Sequence, residues 1–404
     1  MTAFVIADLG FGDAGKGTIT DFLVRRFEVS LVVRYNGGAQ AGHTVETSDG
    51  RHFTFAQFSS GTLVPHVRTH LSRFRAVHPT GLLVEADRLR DVGVTDALDR
   101  ISISPDALII TPFHQAAGRL REQRQRHGSC GVGVGETVRD SLEHPEDTIT
   151  AGEIGTPALA GKLARIRERK RAELEDETPD EVADRWIDAL RPFVARVRLA
   201  ADDEAIPKSG SVVFEGAHGV LLDEWRGFHP HTTWHTCTFE HAHELLRGFS
   251  DPVTRVGVLR TYATRHGLGP FPTEDLALDL PEPHNPPGEW QGAFRRGWLD
   301  AVLAKYAITA CRGVDRLAIT HLDRLASGWQ MAASYAGTSL ALGPPHDLAH
   351  QEALGNSLRA AQPEYVPMPH QPDAFLAALE HTLEAPVWIA SHGPRAEDKR
   401  ERCA

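Results

Sequence analysis

An apolar strand that runs into a glycine-rich turn and then a helix is the feature that most restricts the fold of this chain. At the N-terminus "AFVIADLG" is followed by "FGDAGKGT" and a helical pattern from Thr18. Gly10, Gly12 and Gly15 let successive backbone N–H groups point at phosphate oxygens, the helix adds its positive end, and Lys16 adds a full charge. Further apolar runs ending in Gly, Asn or Asp recur at 29–38, 107–112, 211–219, 254–262, 316–323 and 386–394, with helical patterns between them. The sequence therefore predicts an α/β fold with a large, mostly parallel central sheet and flanking helices. This is a P-loop-like nucleotide-binding fold with helical and loop insertions, and its ligands are expected at the carboxyl ends of the strands.

The loop satisfies two patterns from Gly10 onward, G-x-G-x-x-G and G-x-x-x-x-G-K, but Gly17 stands where the second usually has Ser or Thr. A dinucleotide site needs an acid at the end of the next strand, whereas "VSLVVRYNGG" offers Arg34 and Asn36, and Asp13 would face the pyrophosphate. A triphosphate site accommodates Asp13 better. A hard dication such as Mg²⁺ takes oxygen ligands, so this carboxylate can replace the missing hydroxyl. It is also placed to remove a proton from a nucleophile attacking the terminal phosphate. Beside such a loop, His43 of "RYNGGAQAGHTV" becomes a candidate to stabilise charge on a phosphate oxygen.

With 404 residues, 41% of them hydrophobic, the chain can bury a substantial core, and it is read as a single domain over 1–404. Residues 156–200 read as a helical insertion subdomain of two charged helices broken at "ETPDE", with Thr178 and Pro179 starting the second. Pro-rich 280–290 reads as a long loop. A net charge of −11 with interspersed signs argues against nucleic-acid or membrane partners and for small-molecule substrates. Four scattered cysteines without C-x-x-C spacing and the lack of a leader or long apolar span predict a reduced, soluble, cytoplasmic protein. The His-rich stretch 229–243 matches no standard zinc spacing and is read as shaping a pocket.

"GFGDAGKGTITDFL" and "VVRYNGGAQAGHTV" together, followed in order by "FAQFSSGTL", "GSCGVGVG", "FEGAHGVLLD", "TYATRHGLGPFPTE", "RRGWLD", "ITHLD" and "IASHGP", resemble the adenylosuccinate synthetase family over nearly the whole chain. That resemblance implies a GTP-dependent ligase and a homodimer. GTP phosphorylates the 6-oxygen of IMP, and aspartate displaces the phosphate to give adenylosuccinate. It implies catalytic roles for Asp13, Lys16 and His43, with Asp13 and the Gly42 carbonyl as Mg²⁺ ligands. Gly12, Gly15, Lys16, Gly17, Gly42 and Thr44 would hold the triphosphate, and His321, Asp323, Ser391, Gly393 and Pro394 the guanine. A strand-end carboxylate such as Asp323 can accept from guanine N1–H and the 2-amino group, a donor pair that adenine lacks. Gln40, Ser129, Cys130, His218, Thr238, Gln291 and Arg295 would meet the acceptor and the amino acid.

The acceptor side departs from the family pattern. His218 replaces a glutamine, Cys130 a threonine, Val132 an arginine and Glu136 a proline, and no match appears for the arginine that reaches the partner subunit's nucleotide phosphate. In the amino-acid loop Gln291 replaces a threonine and Ala293 an arginine. The same chemistry on a modified base, a nucleoside analogue or a different amine therefore stands beside the IMP and aspartate pair. A GTP-binding regulator without ligase activity is the reading from another class, and Asp13, Lys16 and His43 argue against it.

Overall fold

The computed structural model describes residues 1–404 except 41, 125–127, 175–180, 283–284, 286–289, 291 and 403–404. Its core is a ten-stranded sheet. In spatial order the strands are Lys399–Glu401, Val387–Ser391, Arg316–Thr320, Val253–Arg260, Ala3–Asp8, Val212–Glu215, Leu31–Arg34, Arg68–Leu71, Ile101–Ile103 and Arg198–Leu199. Every pairing is parallel except that of the edge strand Lys399–Glu401 with Val387–Ser391.

The first strand lies at the centre and is buried at all of its positions. Its side chains alternate between two cores. Ala3, Val5 and Ala7 pack with Phe214, Phe228 and Tyr306 on one face, and Phe4 and Ile6 with Ile19, Leu23 and Val258 on the other. Burial on both faces is why the strand reads as a continuous apolar run rather than an alternating one.

The run at 107–112 is not part of this sheet. Only Leu108–Ile109 is extended, paired in parallel with Ala76–Val77, and the chain turns at Pro112 into the helix Pro112–Arg124. In 156–200 the described elements are helices Ala158–Leu174, Glu181–Ala189 and Arg191–Arg196, then the edge strand Arg198–Leu199. Thr178 and Pro179 lie outside the described residues. The inner faces of this segment, including Leu163, Ile166, Trp186 and Phe193, share a core with Phe53, Leu71 and Ile101.

A four-stranded sheet, Tyr262–His266, Phe294–Asp300, Gln330–Tyr335 and Pro363–Pro367, flanks the large one and sets Arg265 opposite Arg295. Among the described residues, no helix is long and apolar enough to cross a membrane.

Candidate active site

The glycine loop leaves the central strand at Asp8, and that carboxylate organises it. Asp8 accepts hydrogen bonds from the backbone N–H of Gly10 (2.9 Å) and Ala14 (2.8 Å) and from Lys16 Nζ (3.1 Å). Gly12, Asp13 and Gly15 all have positive φ, at 100°, 60° and 97°. At Asp13 this costs strain, although Asp and Asn tolerate the left-handed region better than most residues. Arg260 Nε donates to the Asp13 carbonyl (2.6 Å) and Thr320 Oγ1 to that of Ala14 (2.7 Å), fixing the loop from two neighbouring strands. Gly219, at the end of "FEGAHG", packs so tightly that a Cβ there would lie 2.1 Å from the Gly10 carbonyl oxygen. Lys16 then opens the helix Lys16–Arg26.

A cleft of about 1380 Å³ lies over this loop. Over the glycine loop it is lined by Gly12, Asp13, Gly15, Lys16 and Gly17, with Gly42, His43 and Thr44 also in the lining. No described residue hydrogen-bonds the Asp13 carboxylate. Burial raises its pKa against the pull of Lys16 and Arg260.

His43 donates from Nδ1 to Glu215 Oε1 at 2.6 Å, while its Nε2 is buried without a partner among the described residues. Glu215 is itself fully buried. It also accepts from the Ser60 N–H (3.1 Å) and hydroxyl and lies 3.8 Å from the buried Arg34 guanidinium. Burial and Arg34 push the imidazole down to about 4 despite Glu215, so the ring is neutral at pH 7. The negative charge of a bound triphosphate would oppose that shift.

The far end carries His321, Asp323, Ser391, Gly393 and Pro394. Asp323 sits in the turn Leu322–Arg324 after a parallel strand, its carboxylate 3.1 Å from Arg324 Nε. His321, at φ 62°, donates from Nδ1 to Thr320 Oγ1 (2.9 Å) and meets Tyr262 edge to face. Lys399 ties this end to the phosphate-loop helix by donating to the Thr18 hydroxyl and the Gly393 (2.9 Å) and Arg395 (2.7 Å) carbonyls. Burial pushes its ammonium down to about 8.

On the third side Gln40 and His218 lie together, Gln40 Nε2 3.0 Å from His218 Nε2, with Ser129 and Cys130 nearby in the lining. If the Gln40 amide is the donor, His218 carries its proton on Nδ1. That atom and Gln40 Oε1 have no partner among the described residues. Burial, with His235, Lys16 and Arg75 close by, holds His218 well below the usual imidazole range, so it is a neutral donor and acceptor. Burial pushes the Cys130 thiol up to about 11 and keeps it protonated.

Two of the expected substrate residues are not in the cleft lining. Thr238 is buried and accepts from the Glu240 N–H at 3.4 Å. The Arg295 guanidinium is committed to Glu274, with Nε–Oε1 at 2.8 Å, and to the carbonyls of Gly267 (3.2 Å) and Gly269 (3.0 Å). Gln291 lies outside the described residues. In the His-rich stretch, His241 stacks on Phe74 at 3.8 Å and His229 Nε2 bonds the Glu224 carbonyl at 2.8 Å. Among the described residues no group of three or more His, Cys, Asp or Glu could hold a metal ion.

A sequence model of the adenylosuccinate synthetase family matches residues 5–400. The chain belongs to the adenylosuccinate synthetase family. It is similar to the adenylosuccinate synthetase of Mycobacterium leprae, with 33% identity covering 100% of this chain and 98% of that protein. For the synthetase of Halothermothrix orenii the identity is 30%, with 98% of each covered. The fold is similar to that of a fully ligated adenylosuccinate synthetase from Plasmodium falciparum (TM-score 0.79, 21% identity, 99% of each chain). It is also similar to that of a cyanophage S-2L succinoaminodeoxyadenylate synthetase bound to dGMP and dATP, with a TM-score of 0.64, 16% identity and 100% and 96% coverage. As a family member the chain is an enzyme, a ligase of the synthetase type.

Several residues that build this adenylosuccinate synthetase-like site were not singled out from sequence. Asp8 and Glu215 end strands immediately before glycine turns, a detectable signal. Lys399 carries none, because only the antiparallel edge strand brings it to Thr18.

Proposed function

We propose that the chain is a GTP-dependent carbon–nitrogen ligase that phosphorylates an oxo group on a purine-type acceptor and replaces the phosphate with an amine. In the family reaction the acceptor is IMP, the amine is aspartate and the products are adenylosuccinate, GDP and phosphate. The observation that carries this reading is the convergence in one cleft of the Asp13 carboxylate, Lys16 and His43 Nε2, the first and last without a hydrogen-bond partner among the described residues. Asp13 takes the N1 proton as the 6-oxygen attacks the γ-phosphorus and the bond to GDP breaks. Lys16 and His43 stabilise charge on the phosphoryl oxygens, and the amine nitrogen then attacks C6 as phosphate leaves.

The donor set suits Mg²⁺, which is usually held by one or two carboxylates together with substrate phosphates. Asp13, free of hydrogen bonds from described residues, and the Gly42 carbonyl would hold it, and bound there it would neutralise phosphate charge. The reading is tested by GDP release from purified protein with GTP and Mg²⁺ over a panel of oxo acceptors and amines. Release that depends on both supports it, and release that depends on no acceptor or amine defeats it.

Asp323 is assigned to guanine. Asp323→Asn is expected to cut the GTP over ATP preference by roughly 10–100-fold, the worth of one charge-assisted contact of about 1.5–3 kcal/mol. An unchanged ratio would remove that assignment. We further assign the chain to the cytoplasm and to a homodimer, as the family resemblance implies. Sedimentation of the purified protein as a monomer would overturn the dimer.

The second reading keeps this chemistry on a different acceptor or amine. It is favoured by His218 at the family's glutamine position and by the engagement of Arg295 with Glu274.

A further inference from the structure

The cleft wall built by residues 118–124 and 128–139 already carries the chain's own negative charge. Consecutive backbone N–H groups in a glycine-containing turn form a concave site for an anion. Here those of Gly128 and Ser129 both point at one buried carboxylate, Glu122, at 2.7 and 3.1 Å. The adjacent helix Val134–Glu143 presents its positive end to the same wall, and Glu136 stands buried in its first turn. The nearby cations are engaged as well. Arg121 lies 2.5 Å from Glu136 and also against Glu173, Arg139 lies 2.9 Å from each of them, and Lys170 lies 3.0 Å from Glu136. Arg124 is likewise not free. Arg265 reaches the cleft over Phe11, but its Nε and Nη1 are spent on the carbonyls of Leu268 (2.9 Å) and Pro270 (3.0 Å).

Arg121 Nε and Nη2 and Arg139 Nε make no hydrogen bond among the described residues, but their guanidinium groups are held in the ion pairs with Glu136 and Glu173; the uncharged polar atoms without a partner there are His218 Nδ1 and Gln40 Oε1. They form a donor and acceptor pair suited to the edge of an uncharged heterocycle. A phosphate ester brought to residues 128–136 would displace or confront Glu122 and Glu136, and like charges in contact cost several kcal/mol.

Resting on the ligase reading above, we infer that the acceptor carries no phosphate: it is an unphosphorylated oxo-purine nucleoside or a close analogue. Its ring meets Gln40 and His218, and its hydroxylated end faces the Glu122 loop, where carboxylates accept from hydroxyl groups.

Calorimetry of the full chain with Mg²⁺ and a non-hydrolysable GTP analogue, titrated with inosine and separately with IMP, tests this. Inosine is expected to bind roughly tenfold or more tightly than IMP. IMP binding as tightly or more tightly overturns the inference, and so does binding of neither. Glu122→Gln is expected to narrow the gap, and an unchanged gap in the folded variant would overturn the role given to Glu122. GDP release separates the two levels. Turnover with IMP but not inosine defeats the phosphate-free acceptor and leaves the ligase standing, whereas GDP release that depends on no acceptor in the panel defeats the ligase reading itself.

Discussion

Asp13→Asn is expected to lower acceptor-dependent GDP formation by roughly 10²–10⁴-fold, the usual contribution of a positioned general base, while leaving GTP binding measurable. The substitution is favourable for separating chemistry from architecture. Asp13 occupies the left-handed region at φ 60°, and Asn is the side chain that best tolerates that conformation, so the loop geometry is preserved. The anchors of the loop are also untouched, because Asp8 holds Gly10, Ala14 and Lys16, and Arg260 holds the Asp13 carbonyl rather than its side chain. What is lost is an atom that can accept a proton and carry negative charge.

Asp13 is half-buried and its pKa is raised, so the wild-type rate should fall on the acid side as the carboxylate takes up a proton. That limb should be missing from the residual activity of the Asn variant. A pH profile of kcat/KM with GTP saturating, together with calorimetric GTP binding, checks both. Undiminished turnover would end the base assignment, and loss of GTP binding alone would make Asp13 a binding residue.

The strands and the glycine loop were legible because they depend on local chemistry. A buried parallel strand reads as an apolar run, and a phosphate turn needs its glycines in order, so "FVIADLG", "SVVFEG" and "TRVGVLR" all appear in the ten-stranded sheet. The strand Arg68–Leu71, sequence RTHL, was not legible. Its His70 is buried and paired with Asp202 at 2.9 Å, and no window of sequence shows that partner.

The same limit governs the site. The resemblance assigns Arg295 to the substrates, but pairing of Tyr262–His266 with Phe294–Asp300 carries it to Glu274, 21 positions earlier. Asp323 and Ser391 came from the family resemblance, and both stand at the carboxyl ends of parallel strands, where ligands gather by topology. Glu122 escaped notice for the opposite reason. It lies in the helix Pro112–Arg124 and enters the cleft only because the chain returns at Gly128.

Glu215→Gln should lower both stability and turnover, and the acid side of the stability curve tells the two roles apart. Among the described residues Glu215 is the only hydrogen-bond partner of the His43 ring, and it is the carboxylate beside Arg34, whose guanidinium is fully buried and otherwise bonds the Phe58 carbonyl (2.9 Å). Removing one partner of a buried ion pair leaves the other charge uncompensated, at a cost of about 3–5 kcal/mol.

In the folded protein Arg34 and His43 hold the Glu215 carboxyl down to about 2, against an ordinary 4.5. The unfolded chain therefore binds the proton first on acidification. The stabilisation is complete above pH 4.5 and disappears as pH falls from there toward 2. His43 acts in the same direction over a higher window. Its folded value of about 4 lies below the ordinary 6.5, so the unfolded chain binds more protons between those values and stability falls as pH drops through them.

Denaturant titrations from pH 7 to 3 should show the variant starting a few kcal/mol lower at neutral pH and losing less below pH 4.5 than the wild type. With the carboxylate gone, Nδ1 keeps at best a neutral amide acceptor, the ring is free to change tautomer, and kcat should fall more than GTP affinity. His43→Asn, which leaves the Glu215 and Arg34 pair intact, should reproduce the loss of kcat while keeping most of the stability. If Glu215→Gln instead lost stability with kcat unchanged, Glu215 would be a counter-charge for Arg34 alone, and the orientation of His43 would have to come from the backbone that carries it.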